Sequence, residues 1–260
     1  MPEVTLITGA SSGIGLELAK LFAADGANLV LVARSEGKLH DLAGQLHAEH
    51  GVESLVVPAD LADAAAPRSI FDRVAAARWQ VDVLVNNAGF GEHGYFEQVP
   101  LERQMNMVQV NVASLVRLTH LLLPGMVQRG RGGVLNVGST ASFVPGPTMS
   151  IYYASKAFVR SFTEALHEEL RGQPLKISCL CPGPTDTGFV KEASLEGSTI
   201  AATAVPVEGV ARAGYRGFRN NKAVVVPGLS NKLMAFAVRF APRWLVRRIV
   251  TAIQPLPPRG

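Results

Sequence analysis

The sequence predicts a doubly wound α/β fold, a parallel sheet of about seven strands flanked by helices. Three observations predict it. Short apolar runs recur along the 260-residue chain at 4–7, 28–33, 54–58, 82–86, 133–138, 175–181 and 223–227, separated by stretches of helical period. The run Val81-Asp82-Val83-Leu84-Val85 is apolar except at Asp82, as a central strand covered on both faces requires. No internal repeat and no long linker divides the chain, so residues 1–260 are expected to form one domain with a large core.

The first strand, Val4-Thr5-Leu6-Ile7, runs directly into Thr8-Gly9-Ala10-Ser11-Ser12-Gly13-Ile14-Gly15. A helical pattern follows, with Ile14, Leu18, Leu21 and Phe22 apolar at spacings of three and four. Strand, glycine-rich turn and helix in that order make a dinucleotide site of Rossmann type. Gly9 suits the tight turn, Gly13 lets the backbone approach a pyrophosphate, and Gly15 lets helix and strand pack closely. The helix N-terminus, at Ser11, Ser12 and Ile14, offers unpaired N–H groups and partial positive charge. At the end of the second strand, Asn28–Ala33, such a site reads the adenosine ribose. This chain has Arg34 there and no carboxylate, which favours NADP(H), because a guanidinium matches a 2′-phosphate. A solvated strand-end arginine is the alternative.

Further along, Tyr152 and Lys156 stand four residues apart in a helix-patterned run, thirteen residues after Ser139. The spacing puts phenol and ammonium on one helix face. A nearby cation favours the phenolate, so Lys156 is expected to lower the tyrosine pKa from its ordinary value near 10. Ser139 would add a second hydrogen bond to a substrate oxygen. Tyr153 is three residues from Lys156, so the Tyr-x-x-x-Lys register selects Tyr152.

With these motifs in place the chain resembles the short-chain dehydrogenase/reductase family over nearly its whole length. The resemblance rests on TGASSGIG (8–15), Asp60-Leu61, NNAG (86–89), Asn111, Ser139, YYASK (152–156) and PGPTDT (182–187), in the family's order and spacing. It implies that Tyr152 is the general acid in carbonyl reduction and the base in alcohol oxidation. It implies that Lys156 binds the nicotinamide ribose and that Ser139 polarises the substrate carbonyl. Asn111, inside a helical run from about Leu101 to Leu123, would hold a water linking Lys156 to solvent. Asp60, beside Leu61, would contact the adenine, and Asn87, Ala88 and Gly89 would line the adenosine side. Pro182, Gly183 and Thr187 would border the nicotinamide. Asp60 has a second reading as the cap of a helix beginning near Ala62. Where some NADP-preferring relatives carry a basic residue inside the glycine motif, this chain has Ser12, so Arg34 must do most of the discriminating.

The expected function is therefore an NADP(H)-dependent oxidoreductase that interconverts a carbonyl and a secondary alcohol, with an apolar small-molecule substrate and no metal. Its rivals are an inactive nucleotide sensor and a peripheral membrane protein. Net charge is +4 with a pI near 9.3, driven by arginines late in the chain, yet no basic block suggests nucleic acid. Cys179 and Cys181, two apart on one strand, read as buried thiols, since about 6.5–7 Å between their Cα atoms strains a disulfide. With a strand beginning at residue 4 and no apolar run of membrane-span length, a cytoplasmic protein is expected. Leu115, Leu118, Leu122, Phe158, Phe162 and Leu166 suggest that the helices carrying Asn111 and Tyr152 form a homodimer or homotetramer.

Two regions are expected to shape substrate use. Residues 188–206 form the substrate-covering segment by the family resemblance, and Phe143, Val144, Pro145 and Met149 could wall the reacting carbon. In the C-terminal helical tail, 229–260, Leu233, Phe236, Ala237, Phe240 and Trp244 recur at helical spacing, with Arg239, Arg243 and Arg247 on another side and Pro242 breaking the run. Such a tail covers the cleft, joins a subunit interface or lies on an anionic membrane.

Overall fold

The apolar runs become strands of one sheet, buried on both faces at its centre and partly buried at its edges, β3 and β7. The computed structural model describes residues 2–189, 193 and 203–253. Its strands are β1 Val4–Thr8, β2 Asn28–Ala33, β3 Ser54–Pro58, β4 Val83–Asn86, β5 Gly133–Val137, β6 Lys176–Leu180 and β7 Val224–Val225. All pairings are parallel, in the order β3-β2-β1-β4-β5-β6-β7. The described helices are α1 Gly13–Ala24, α2 Glu36–His50, α3 Ala66–Ala76, α4 Leu101–Val108, α5 Leu115–Arg129, α6 Ser150–Glu169, α7 Val207–Arg219, α8 Leu229–Ala237 and α9 Arg243–Ile253.

Alternate strand residues feed two cores. Ile7, Leu29, Leu31, Val83 and Val85 pack with α1, α2 and α7, around Phe22 and Phe218. Leu6, Val30, Val32, Leu84 and Val134 pack on the other face with α3 and α5. A polar chain crosses the middle of the sheet. Asn86 Nδ2 donates to Thr119 Oγ1 at 3.1 Å and to Asn136 Oδ1 at 2.9 Å, and Asn136 Nδ2 donates to Thr163 Oγ1 at 2.9 Å. Both threonines pass their protons to carbonyls one turn back, on Leu115 and Val159. All four side chains are buried, and the chain ties α5 to α6.

Several boundaries differ from the sequence expectation for identifiable reasons. Asp82 stands just before β4, where it accepts a hydrogen bond from Val4 N–H at 3.2 Å and pairs with Arg131 at 3.1 Å and Arg129 at 3.5 Å. α3 starts at Ala66 with Pro67 in its first turn, and not near Ala62; Asp60 and Asp63 instead accept from Ala62 and Ala65 N–H across short turns. The run expected to end near Leu123 continues to Arg129, and a π-helical stretch, Gln109–Ser114, joins α4 to α5.

That continuous helix, Leu101–Arg129, corrects a second expectation, because it is long and apolar enough to cross a membrane. Here Leu115, Leu118, Leu122 and Met126 are buried within the chain. The three leucines therefore offer a partner subunit little surface; of the six side chains expected there, Phe158 alone is among the strongly exposed, and it stacks on Phe162 at 5.8 Å. Pro242 divides the tail into α8 and α9 as its ring requires.

Thr8, at the end of β1, fixes the neighbouring end of β4. Its hydroxyl donates to Val85 O at 3.3 Å and accepts from Asn87 and Ala88 N–H, both at 3.0 Å. Thr8→Val keeps the shape but strands two amides, so unfolding free energy from urea melts should fall by about 1–3 kcal/mol, while Thr8→Ser stays near wild type. An unchanged Thr8→Val midpoint would show that the strand ends need no such tie.

Candidate active site

Between β1 and β4 the winding reverses, and the carboxyl ends of those strands open a crevice where open α/β sheets bind ligands. A cleft of about 600 Å³ runs through it. One end is lined by Gly9, Ser11, Ser12, Gly13, Ile14, Arg34, Asp60 and Leu61, and the middle by Asn87, Ala88 and Gly89. Ser139, Tyr152, Lys156, Pro182, Gly183 and Thr187 line the other end. The fold thus gathers nearly every residue singled out in the sequence. Gly15 lies behind the lining, and Asn111 beneath it.

The glycine turn works by close approach. Gly9 has φ +66°, and a Cβ on Gly15 would fall 2.4 Å from the Gly9 carbonyl oxygen and 2.4 Å from Asn87 Nδ2. Asn87 Nδ2 in turn donates to the carbonyls of Thr8 at 2.9 Å and Gly9 at 3.2 Å. The asparagine therefore braces the turn through its side chain and lines the cleft as well. At β2's end Arg34 is exposed, with no hydrogen-bond or ion-pair partner among the described residues. Asp60 lines the same end while its Oδ1 accepts from Ala62 N–H at 2.9 Å. Leu61 O accepts from Ser114 Oγ at 2.8 Å, tying this loop to the π-helical stretch.

At the opposite end the Tyr152 and Lys156 side chains are buried on one face of α6. Lys156 Nζ donates to Val137 O at 2.9 Å and lies 5.8 Å from the centre of the Tyr152 ring. Burial lowers the Lys156 pKa to about 8. Burial pushes the Tyr152 phenol well above its usual value, and the hydrogen bond with Ser139 pulls it down only in part. Tyr152 is thus raised and not lowered as expected, because desolvation dominates and only the Ser139 hydrogen bond pulls it down. In this state the phenol stays protonated at neutral pH.

Asn111 sits in the π-helical stretch. Its Oδ1 accepts from Phe90 N–H at 3.1 Å, and its Nδ2 donates to Phe90 O at 3.0 Å and to Ser155 Oγ at 3.0 Å. Ser155 Oγ donates to the backbone carbonyl of Tyr152 at 2.7 Å. The side chain braces the loop after Gly89 and the turn of α6 that carries Tyr152. Ser155 and Phe90 were not singled out from the sequence; Ser155's place between Tyr152 and Lys156 in YYASK was the available signal. A Cβ on Gly89 would lie 3.0 Å from Asn111 Oδ1 and 3.2 Å from Lys156 Nζ, so this backbone meets both groups closely.

The apolar wall differs from expectation. Met149 lines the cleft, with Phe90, Tyr153 and Phe189, whose ring lies 5.1 Å from that of Tyr152. Val144 and Pro145 are not part of the lining, and Phe143 turns away to pack near Leu115 and Val159 under the Arg160 guanidinium. Most of the expected substrate-covering segment, at 190–192 and 194–202, lies outside the described residues. No described residue of the tail lines the cleft. α8 meets its edge through Asn231, whose Nδ2 is 2.5 Å from where a Cβ on Gly183 would stand.

These residues fit a dinucleotide, with the glycine turn open to phosphates and a guanidinium without a partner among the described residues at one end, and hydroxyl and ammonium groups at the other. Cys179 and Cys181 are buried, reduced and outside the lining, with their sulfurs 3.6 Å apart. Among the described residues no cluster of three or more His, Cys, Asp or Glu side chains is placed to hold a metal.

The model of the short chain dehydrogenase family matches residues 3–197. The chain is 37% identical over 183 residues to a very-long-chain 3-oxoacyl-CoA reductase of Anas platyrhynchos, covering 68% of this chain and 58% of that one. The match thus spans little more than half that reductase's length. A short-chain dehydrogenase from Sphingobium yanoikuyae in complex with NADPH superposes with a TM-score of 0.83 at 34% identity, covering 95% of each chain. One from Burkholderia phymatum in complex with NAD gives 0.81 at 26% identity, over 100% of this chain and 98% of that one.

The lowered Lys156 pKa carries a stability signature. Unfolded, the lysine titrates near 10.5; folded, near 8, so between these values the unfolded chain binds more protons and the native state gains stability as pH rises. The stability of wild type relative to Lys156→Met should therefore rise between about pH 8 and pH 10, by at most about 3 kcal/mol. Paired urea melts across that range check it. A constant difference would mean that the ammonium is solvated in the native protein.

Proposed function

The chain belongs to the short-chain dehydrogenase family, whose members are oxidoreductases, and from that premise we propose that it interconverts a carbonyl and a secondary alcohol with NADP(H). The observation that carries this reading is the meeting of Ser139, a protonated Tyr152 and Lys156 beside an apolar wall at one end of a dinucleotide-sized cleft. When bound, the cofactor supplies or accepts the hydride. Tyr152 donates its proton to the oxygen of the reacting carbon in reduction and takes it back in oxidation. Ser139 holds that oxygen and polarises the carbonyl. Lys156 holds the nicotinamide ribose, and a water at the π-helical stretch around Asn111 returns protons from solvent.

Arg34 supports NADP(H) over NAD(H), because an exposed guanidinium without a partner among the described residues is placed to meet a 2′-phosphate dianion. The solved relatives include both an NADPH and an NAD complex, so the preference rests on this residue of the chain itself. Phe90, Met149, Tyr153 and Phe189 support an apolar substrate.

Tyr152→Phe keeps the ring packed and removes only the hydroxyl. In NADPH-absorbance assays with a panel of ketones and aldehydes, its kcat should fall by about 10²–10⁴-fold with cofactor affinity little changed. Near-normal turnover would sink the assignment.

Arg34→Asp puts a carboxylate where the phosphate would lie. The ratio of kcat/KM with NADPH to that with NADH should favour NADPH by about one to two decades in wild type and invert in the mutant. Equal efficiency in wild type would leave Arg34 without the proposed role.

A further inference from the structure

The C-terminal helices α8 and α9 present an apolar face to the outside of the molecule. Leu229, Leu233, Phe236 and Phe240 follow at spacings of four, three and four, a single stripe along α8 and the turn after it. They are exposed by 73%, 61%, 59% and 74%. The other side of α8 seats the helix, with Ala235 buried and Asn231 against Gly183. The stripe thus points away from the core, reversing the arrangement of an ordinary surface helix. Beyond Pro242, on α9, Trp244, Leu245 and Ile249 are exposed as well, and Val246 is buried.

The flanks of the stripe are cationic. Residues 229–260 contain Lys232, Arg239, Arg243, Arg247, Arg248 and Arg259 and no aspartate or glutamate, and the last acidic residue of the whole chain is Glu208. No ion pair neutralises Lys232, Arg239, Arg243, Arg247 or Arg248 among the described residues. The Arg248 guanidinium lies over Trp244, 5.5 Å from the ring centre. All the acidic residues lie before this region, so the net charge of +4 combines +6 here with −2 over the rest of the chain. Two tails packed face to face would oppose cation to cation. A surface that accepts apolar side chains and carries negative charge satisfies both features at once.

We propose that α8 and α9 dock the protein on an anionic lipid bilayer, with the Leu229–Phe240 stripe inserted at the acyl boundary and the flanking lysine and arginines on lipid phosphates. The docking is independent of turnover and of the cofactor preference argued above.

Flotation of the full-length chain with vesicles tests it. Binding is expected to vesicles of phosphatidylcholine with phosphatidylglycerol, and about tenfold or more weaker binding to phosphatidylcholine alone, with a steep loss as salt rises. Each basic residue near such a surface is worth about fivefold in partitioning. Arg239→Glu with Arg243→Glu, and separately Phe236→Glu with Phe240→Glu, should each lower partitioning by about tenfold or more. NADPH binding, read by fluorescence, should stay at the wild-type level in both and so report an intact fold. Equal binding to neutral and anionic vesicles, or no binding by wild type, would overturn the proposal. So would a wild type that ignores vesicles and halves its light-scattering mass on Phe236→Glu with Phe240→Glu, since the stripe would then be covered by a second copy of the chain.

Discussion

The site depends on how the ends of β1 and β4 are held at the point where the sheet changes winding direction. A crevice there is useful only if its floor is rigid, and the floor is irregular backbone with few ladder partners. Thr8 supplies them, with one hydroxyl serving a carbonyl and two amides of the neighbouring strand end. Asn87 closes the arrangement by returning its amide to Thr8 and Gly9. The first turn of α1 can then rest directly on the glycine turn, because Gly15 has no side chain to hold it off. Cradle, helix N-terminus and cleft axis all follow from this joint.

The other end of the cleft is governed by water exclusion. Tyr152 and Lys156 are close enough in sequence to suggest direct electrostatic help, yet both are buried, and loss of water is the largest influence on each. The result is a phenol that keeps its proton and an ammonium on the edge of losing its own. The lysine is held by the Val137 carbonyl, and the backbone of the Tyr152 turn is held through Ser155 to Asn111. The π-helical stretch, a feature that recurs at functional positions within helices, places that asparagine where one side chain reaches both the Phe90 backbone and α6.

Much of this was legible in the sequence. All seven strands stood out because each is an apolar run bounded by turn residues, and the glycine motif had meaning because it lay between a strand and a helix. The register against Lys156 singled out Tyr152, and its neighbour Tyr153 lines the cleft as well. What escaped depends on distant partners. Asp82 could be seen as the odd residue of an apolar run, but its pairing with Arg129 and Arg131 is fixed only when the sheet forms. The start of α3 was misplaced because Asp60 and Asp63 bond to nearby amides in turns, as readily as they would cap a helix. Phe143 is close to the catalytic motifs in sequence, yet the short helical turn after Ser139 carries it away from the cleft. Periodicity revealed the stripe in the tail without saying which way it faces, since inward and outward stripes have the same spacing.

The polar chain through the sheet has a consequence for folding fidelity. β4 and β5 are short and nearly all apolar, Val-Leu-Val-Asn against Gly-Val-Leu-Asn-Val, and strands of this kind can pair in more than one alignment without changing which face is greasy. A slip of two residues would part the two side chains and leave the Asn136 carbonyl oxygen without the donor it has in Asn86, at a cost of about 1–3 kcal/mol. Only when Asn86 stands opposite Asn136 are both satisfied. The pair acts as an index mark on two otherwise interchangeable strands, and it ensures that the strand leading to Asn87 and the strand leading to Ser139 finish level with each other.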